Sequence, residues 1–462
     1  MTTRREMLQQ SGLGFGFVAL ASMLADQCRA ESSLAAPAPH FPARADRVIF
    51  LFMKGGPSQV DTFDYKPLLQ RDGGKPLPFD KPKVTFAETG DLLASPWRFR
   101  RYGECGHYVS ELFPHVAGHV DDICFLHSLH GSNPAHGGAS LKLHTGSDVF
   151  LRPSMGAWVS YGLGTENTDL PAFVTICPTL AHGGVNNWGS GFLPIHHQGM
   201  PIGNASVSAK EAKVGHIGNP KWEADRQRLQ LDFAQQLNQR HLADGDSAGV
   251  LESRINSFEL AFRMQASMPE CQDIASETAA TRRLYGLDDP VTEDFGLQCL
   301  MARRFAERGV RFVQVTHSDN KVQWDQHGDL LNGHREKSAE VDRPIAGLLS
   351  DLKARGLLDR TLVVWSGEFG RTPTAQGSDG RDHNPWGFTM WMAGGGVKGG
   401  TSHGATDDYG FYAERDKVHL HDFHATLLAL MGIDHERLTY RQAGRDFRLT
   451  DVFGKVITPI LA

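Results

Sequence analysis

The chain has 462 residues, a formal charge of −6, 40% hydrophobic residues and 22% charged residues. That is ordinary globular composition with enough apolar material for a large core. The acidic balance, and the lack of a basic stripe with interleaved aromatics, exclude a general nucleic-acid binder. Gly at 50 and His at 22 are both high for this length. Many glycines suit the tight strand-to-helix turns of an α/β fold, and many histidines suit a metal site.

At the N-terminus, Arg4 and Arg5 precede Met7-Leu8, and an uncharged stretch rich in Gly, Phe, Ala and Leu runs to Leu24. Small residues follow around Ala30 and Ala35-Ala36. This is the charged, apolar, small-residue order of a secretory signal. The arginine pair and the Gly-softened apolar run point to the twin-arginine class. The run is short for a spanning helix and is broken by Gly and Ser, so cleavage is expected rather than anchoring. No other segment is long and apolar enough to cross a bilayer. Residues 1–35 are therefore read as signal peptide and linker, which implies a periplasmic or extracellular protein that meets the twin-arginine translocase on export. Without Cys28, five cysteines remain: Cys105, Cys124, Cys177, Cys271 and Cys299. Buried free thiols are expected, with a Cys105–Cys124 disulfide as the alternative.

Residues 45–462 read as one α/β domain. Arg47 to Met53 (RVIFLFM) is a buried strand feeding a Gly-Gly-Pro-Ser turn. Glu111 to Val120 predicts a helix, Ile123 to Leu126 a strand and Ala172 to Ile176 another. From about 223 to 287 the chain is polar and periodic, which predicts a helical segment beside the sheet. Gln298 to Arg308 predicts a helix ending at Gly309, and Arg311 to Thr316 a strand. Val341 to Arg355 predicts a helix with Pro344 in its first turn and Gly356 after it. Thr361 to Trp365 and Thr389 to Ala393 predict strands, and Asp422 to Met431 a helix. The alternation implies a mainly parallel central sheet flanked by helices on both faces.

Ligands of such sheets bind beyond the carboxyl ends of the strands. Four of these ends carry unusual residues. Lys54 to Asp64 follows the first strand and includes Asp61. His127 to His136 follows the second, with His144 beyond it. His317 and then Trp324-Asp325-Gln326-His327 follow the Arg311 to Thr316 strand. Ser366-Gly367-Glu368-Phe369-Gly370-Arg371 and Arg381-Asp382-His383-Asn384 follow the Thr361 to Trp365 strand. Histidine and carboxylate are the ligands of zinc and related divalent ions. A single such histidine, His435 for example, is better explained as a turn or network residue. The set at four strand ends favours a metal.

The segments MKGGPSQVDTFDYKP, GSNPAHGGASLKLHTG, QWDQHGDL, SGEFGRTP and GRDHNPWGF resemble the DUF1501 family, an uncharacterised, sulfatase-like group placed in the alkaline phosphatase superfamily. The resemblance spans about residues 45 to 457. It implies an alkaline phosphatase/sulfatase-like core in which acidic residues and histidines hold one or two divalent metals, with zinc and calcium as the candidates. By motif position the expected ligands are Asp325, His327, Glu368 and His383, then Asp61 and His136. Asp382 is expected to orient His383, and Arg371 to contact an anionic oxygen. The sulfatase nucleophile motif is absent, and the serines nearest in kind are Ser128, Ser132 and Ser140. Lys54-Gly55 stands where the superfamily usually places an aspartate, so Asp61 is expected to substitute.

These features imply an exported metal-dependent hydrolase of sulfate or phosphate esters, acting on a small molecule or a polysaccharide. The alternatives are a noncatalytic relative that binds glycans or anions, and an assembly partner of other exported proteins. The signal itself predicts a result. Replacing Arg4 and Arg5 by Lys leaves precursor in the cytoplasm on fractionation, and normal processing of that double variant removes the twin-arginine reading.

Overall fold

The computed structural model describes residues 38–81, 88–215, 217–218, 223–243, 250–318 and 323–462. The signal sequence expected over residues 1–35 lies outside them. In chain order the strands are β1 (Arg47–Met53), β2 (Phe99–Tyr102), β3 (His107–Ser110), β4 (Ile123–His130), β5 (Phe173–Ile176) and β6 (Met200–Ile202). Then come β7 (Phe312–His317), β8 (Thr361–Ser366), β9 (Gly370–Gln376), β10 (Gly380–Asn384), β11 (Phe388–Ala393) and β12 (Thr401–His403). The longer helices are α1 (His136–Thr145), α2 (Met155–Leu163), α3 (Ala224–Ala243), α4 (Val250–Gln272), α5 (Glu293–Glu307), α6 (Leu330–Ala354) and α7 (Leu420–Leu430).

Among the described residues, nine strands form the central sheet, in the order β12-β4-β11-β8-β1-β7-β5-β6, with Val418–His419 also paired to β4. The fold is α/β with a mostly parallel sheet flanked by helices. Only β11 runs against its neighbours, β4 and β8. β1 lies mid-sheet between β7 and β8, parallel to both. Ile49, Leu51 and Met53 enter one core with Leu300, Phe305, Ile345 and Leu348 of α5 and α6. Val48, Phe50 and Phe52 enter the other with Trp158, Val159, Phe423 and Leu427 of α2 and α7. A strand covered on both faces is apolar throughout, which is why RVIFLFM shows no alternation. The carboxyl ends of β1, β4, β5, β7 and β8 therefore open at one edge of the sheet.

Several elements depart from the sequence expectation. The helix expected over Glu111 to Val120 is a 3-10 helix, Val116–Asp122. Pro114 interrupts the pattern, and the buried Asp342 carboxylate accepts from the His115 and Val116 amides at 2.9 and 2.8 Å, which fixes the start there. α6 begins eleven residues before Val341, so Pro344 lies in its interior, not its first turn. Fully buried Val341, Ile345, Leu348, Leu349 and Leu352 hold that helix by packing in spite of the lost donor. Helices α3 and α4 occupy most of the 223–287 segment. All five described cysteines are free, so the Cys105–Cys124 disulfide does not form here. Among the described residues, no helix is long and apolar enough to cross a membrane.

The loop after β1 is fastened to the β9–β10 hairpin by one ion pair. Arg381 Nε and Nη2 donate to the Asp61 carboxylate at 2.6 and 3.1 Å, with both side chains fully buried. Ser58 Oγ donates to the same carboxylate at 2.5 Å. Burial alone would raise the Asp61 pKa, but Arg381 holds it below the usual carboxylate range. Breaking a buried pair strands the other charge. Asp61→Ala is therefore expected to lose about 3–5 kcal/mol in denaturant unfolding. The pair's contribution is present above the ordinary aspartate pKa and is lost as pH falls below it. An unchanged midpoint in Asp61→Ala contradicts this role.

Candidate metal centre

Four side chains meet at the open edge. Ligand atoms of His136, Asp325, His327 and His383 all lie within 4.8 Å of one another. They arrive on three different supports. His136 is the first residue of α1, after a turn in which the Asn133 side chain accepts from the Ala135 amide at 2.9 Å. Asp325 and His327 lie in the loop after β7. His383 is on β10, not in a loop as its sequence position suggested. Glycine makes one approach feasible. Gly55 has φ 109°, and a Cβ there would stand 2.8 Å from the Trp324 amide nitrogen and 2.9 Å from that of Asp325.

The three imidazoles share one polarity. His136 Nδ1 donates to Glu368 Oε1 at 2.7 Å, His383 Nδ1 to the Pro134 carbonyl at 2.7 Å, and His327 Nδ1 to Gln376 Oε1. Each ring thus keeps its proton on Nδ1 and turns Nε2 inward. The Nε2 atoms of His136, His327 and His383 stand 3.1, 3.0 and 3.1 Å from the Asp325 carboxylate. His136 Nε2 is buried and has no aligned hydrogen-bond partner among the described residues. Three inward lone pairs facing a carboxylate are electrostatically incomplete without a cation or added protons. The residues present therefore fit a divalent metal.

Electrostatics agree. Burial would raise the Asp325 pKa, but the imidazoles of His136, His327 and His383 that face it, when protonated, and the Arg371 charge hold it far below the usual range. Burial would lower that of His136, yet Asp325 and Glu368 raise it. The Asp325 hydrogen bond raises His327. Burial, with help from Arg371 and His136, pushes His383 down to about 4 in spite of Asp325. Asp325 is 26% exposed and His327 37%, so the cluster opens to solvent on their side.

The other expected site residues take different places. Glu368 is buried behind His136 and accepts from the Gly55 amide at 3.0 and 3.1 Å, so it backs a ligand and does not join the four. Asp61 is consumed by Arg381 and does not substitute for the missing aspartate after β1. Arg371 is fully buried and is not free for an anion. Its guanidinium donates to the carbonyls of Gly55, Gly56 and Arg381 and to Asp325 Oδ1 at 2.6 Å, so it steadies that carboxylate. Asp382 accepts from the His383 backbone amide at 2.8 Å, and the ring is oriented by Pro134 instead. Ser132 is exposed in the turn before α1. Ser128 donates to the Asp416 carbonyl at 2.6 Å, and Ser140 is buried in α1.

Sequence reasoning missed Gln376, the Pro134 carbonyl and Phe369, whose ring stacks on His383 at 4.4 Å. A backbone carbonyl leaves no trace in residue type. Gln376 sits in TAQGSDG, where nothing but its pairing in the hairpin marks it.

The fold is similar to that of the lipoteichoic acid synthase LtaP from Listeria monocytogenes, at 10% identity and a TM-score of 0.38, over 92% of this chain and 80% of that one. It is similar to the PsFucS1 sulfatase from Pseudoalteromonas sp., at 13% identity and a TM-score of 0.37, over 85% and 69%. It is similar to alkaline phosphatase from the Antarctic bacterium TAB5, at 9% identity and a TM-score of 0.35, over 84% and 98%. No curated protein matches the sequence. The model of a family described as a protein of unknown function, DUF1501, matches residues 45–461, and the chain belongs to that family.

Proposed function

We propose that this protein is a metal-dependent hydrolase of sulfate or phosphate esters, exported by the twin-arginine route to the periplasm or beyond. The observation that supports the reading most is the inward convergence of three anchored imidazoles on the Asp325 carboxylate. His136, Asp325, His327 and His383 would hold one divalent cation. A donor set of three nitrogens and one carboxylate suits zinc and its transition-metal neighbours, not calcium, which takes six to eight oxygens. When bound, such an ion supplies positive charge that stabilises the negative charge developing on the transferred group.

The chain's own residues do the rest. Glu368, Gln376 and Pro134 fix the tautomer of each imidazole. Arg371 and the three rings hold Asp325 ionised through the neutral range. Phe369 covers the inner side against His383 and His136. Ser128 spends its hydroxyl on the Asp416 carbonyl and Ser140 is buried within α1, which favours water as the attacking group. An ester with an exposed sulfate or phosphate head approaches from the side of His327 and Asp325.

Two results are expected. In the first, purified mature protein binds one zinc. His327→Ala and His383→Ala lose it on metal analysis, while His435→Ala, whose ring meets Thr450 Oγ1 at 3.0 Å, keeps it. Glu368→Gln keeps the four ligands but weakens affinity about 10- to 100-fold. His136 and His327 bind protons more tightly than free imidazole. Metal binding must displace those protons, so affinity falls on acidification, starting above the ordinary imidazole pKa of about 6.5. Unchanged metal content in both alanine variants contradicts the site. In the second, sulfate- and phosphate-ester panels show turnover that a chelator abolishes and zinc restores. Full metal with no turnover on the panel favours a noncatalytic glycan- or anion-binding protein instead.

A further inference from the structure

α3 packs along α4, and α4 in turn reaches the core through Met264, Met268 and Cys271. The contact between the two helices is largely polar. Arg228 donates to Glu259 Oε1 at 2.8 Å and Gln235 to Glu259 Oε2 at 2.7 Å, and the Arg228 guanidinium lies 5.3 Å from the Phe262 ring centroid. No residue from 225 to 238 is buried. A helix in a folded protein draws most of its stability from packing an apolar face, and α3 by itself packs none.

Three of its large apolar residues lie on the side away from α4. At about 3.6 residues per turn, Arg228 and Gln235 share the side that meets α4, and Leu229, Phe233 and Leu237 share the opposite one. They are 69%, 63% and 42% exposed. Phe258 of α4, 60% exposed, lines a cleft with Gln230 and Leu231 and widens the stripe on that side. The stripe is also a palindrome. Outward from Phe233, glutamine stands third in both directions, as Gln230 and Gln236, and leucine fourth, as Leu229 and Leu237. The one charged residue between the two leucines, Asp232, is paired with Arg228.

We propose that α3 is the interface of a homodimer, in which a twofold axis through Phe233 sets a second α3 antiparallel to the first. That axis brings Phe233 against Phe233, Leu229 against Leu237 and Gln230 against Gln236 of the second copy, with no like charges opposed along the stretch. The area is of the right size. At about 150–200 Å² per side chain, the four apolar residues expose roughly 400 Å². A standard interface of about 800 Å² per partner with a core about 65% apolar needs about 500 Å². A helix that lies on a lipid surface carries Lys and Arg beside its apolar face, whereas glutamines flank this one. The dimer does not depend on the hydrolase reading.

Sedimentation velocity of the purified mature protein over a concentration series tests it. The wild type is expected to pass from monomer to dimer with a dissociation constant in the micromolar range or below. Phe233→Asp weakens the dimer by at least about thirtyfold. Val149→Asp, which charges an apolar residue 74% exposed outside this helix pair, leaves it unchanged. Oxidative cross-linking reads the geometry without a disruptive variant. In a Cys105→Ser background, which removes the exposed native thiol, the Phe233→Cys protein cross-links to itself. The Leu229→Cys and Leu237→Cys proteins cross-link when mixed but not alone. The axis sets each of those positions about 12 Å or more from its own copy, and a disulfide spans at most about 7 Å between Cα atoms. Monomer at every concentration, a dimer that persists in Phe233→Asp, or Leu229→Cys protein that cross-links to itself overturns the proposal.

Discussion

One carboxylate organises the open edge of this sheet. Asp325 receives the inward faces of His136, His327 and His383 and one arm of the Arg371 guanidinium. These groups come from α1, the loop after β7, and the β9–β10 hairpin. None of those segments adjoins the others in sequence. A partly buried charge that is left unpaired is costly, so each segment has to arrive in register for the others to be satisfied. Arg371 extends the constraint inward. Its remaining donors go to the carbonyls of Gly55, Gly56 and Arg381, which ties the turn after β1 to the hairpin.

The second tie, between Asp61 and Arg381, lies deeper and carries no solvent access. The two arginines divide the labour. Arg381 neutralises a carboxylate that never reaches the site, and Arg371 steadies one that does. Loops placed by parallel strands and then cross-braced in this way hold their side chains in a fixed geometry. The three imidazoles show the same economy. A carboxylate, an amide and a backbone carbonyl each take an Nδ1 proton, so the inner Nε2 atoms are presented without further adjustment.

Much of this was legible in the sequence. Strands buried on both faces leave unbroken apolar runs, so β1, β7 and β8 stand out as they are. The clustering of His, Asp and Glu just past such runs led to His136, Asp325, His327 and His383. What residue type cannot convey is where a side chain spends its charge. Asp61, Glu368 and Arg371 all lie in the right loops, yet the fold commits Asp61 to Arg381, Glu368 to His136 and Gly55, and Arg371 to three carbonyls. Propensity also missed the first half of α6. Its polar start, LLNGHREKSAE, becomes helical because His334 and Ser338 are buried against the rest of the fold, with the Ser58 amide donating to His334 Nε2 at 3.0 Å.

The central claim is a single nitrogen-rich metal site, and X-ray absorption at the zinc edge of the loaded protein tests it most directly. The account predicts a first shell at about 2.0–2.2 Å with the multiple-scattering signature of three imidazoles and one carboxylate oxygen. His383→Ala should then reduce the imidazole count to two. A shell built of oxygen alone, or an imidazole count unchanged in that variant, would contradict it.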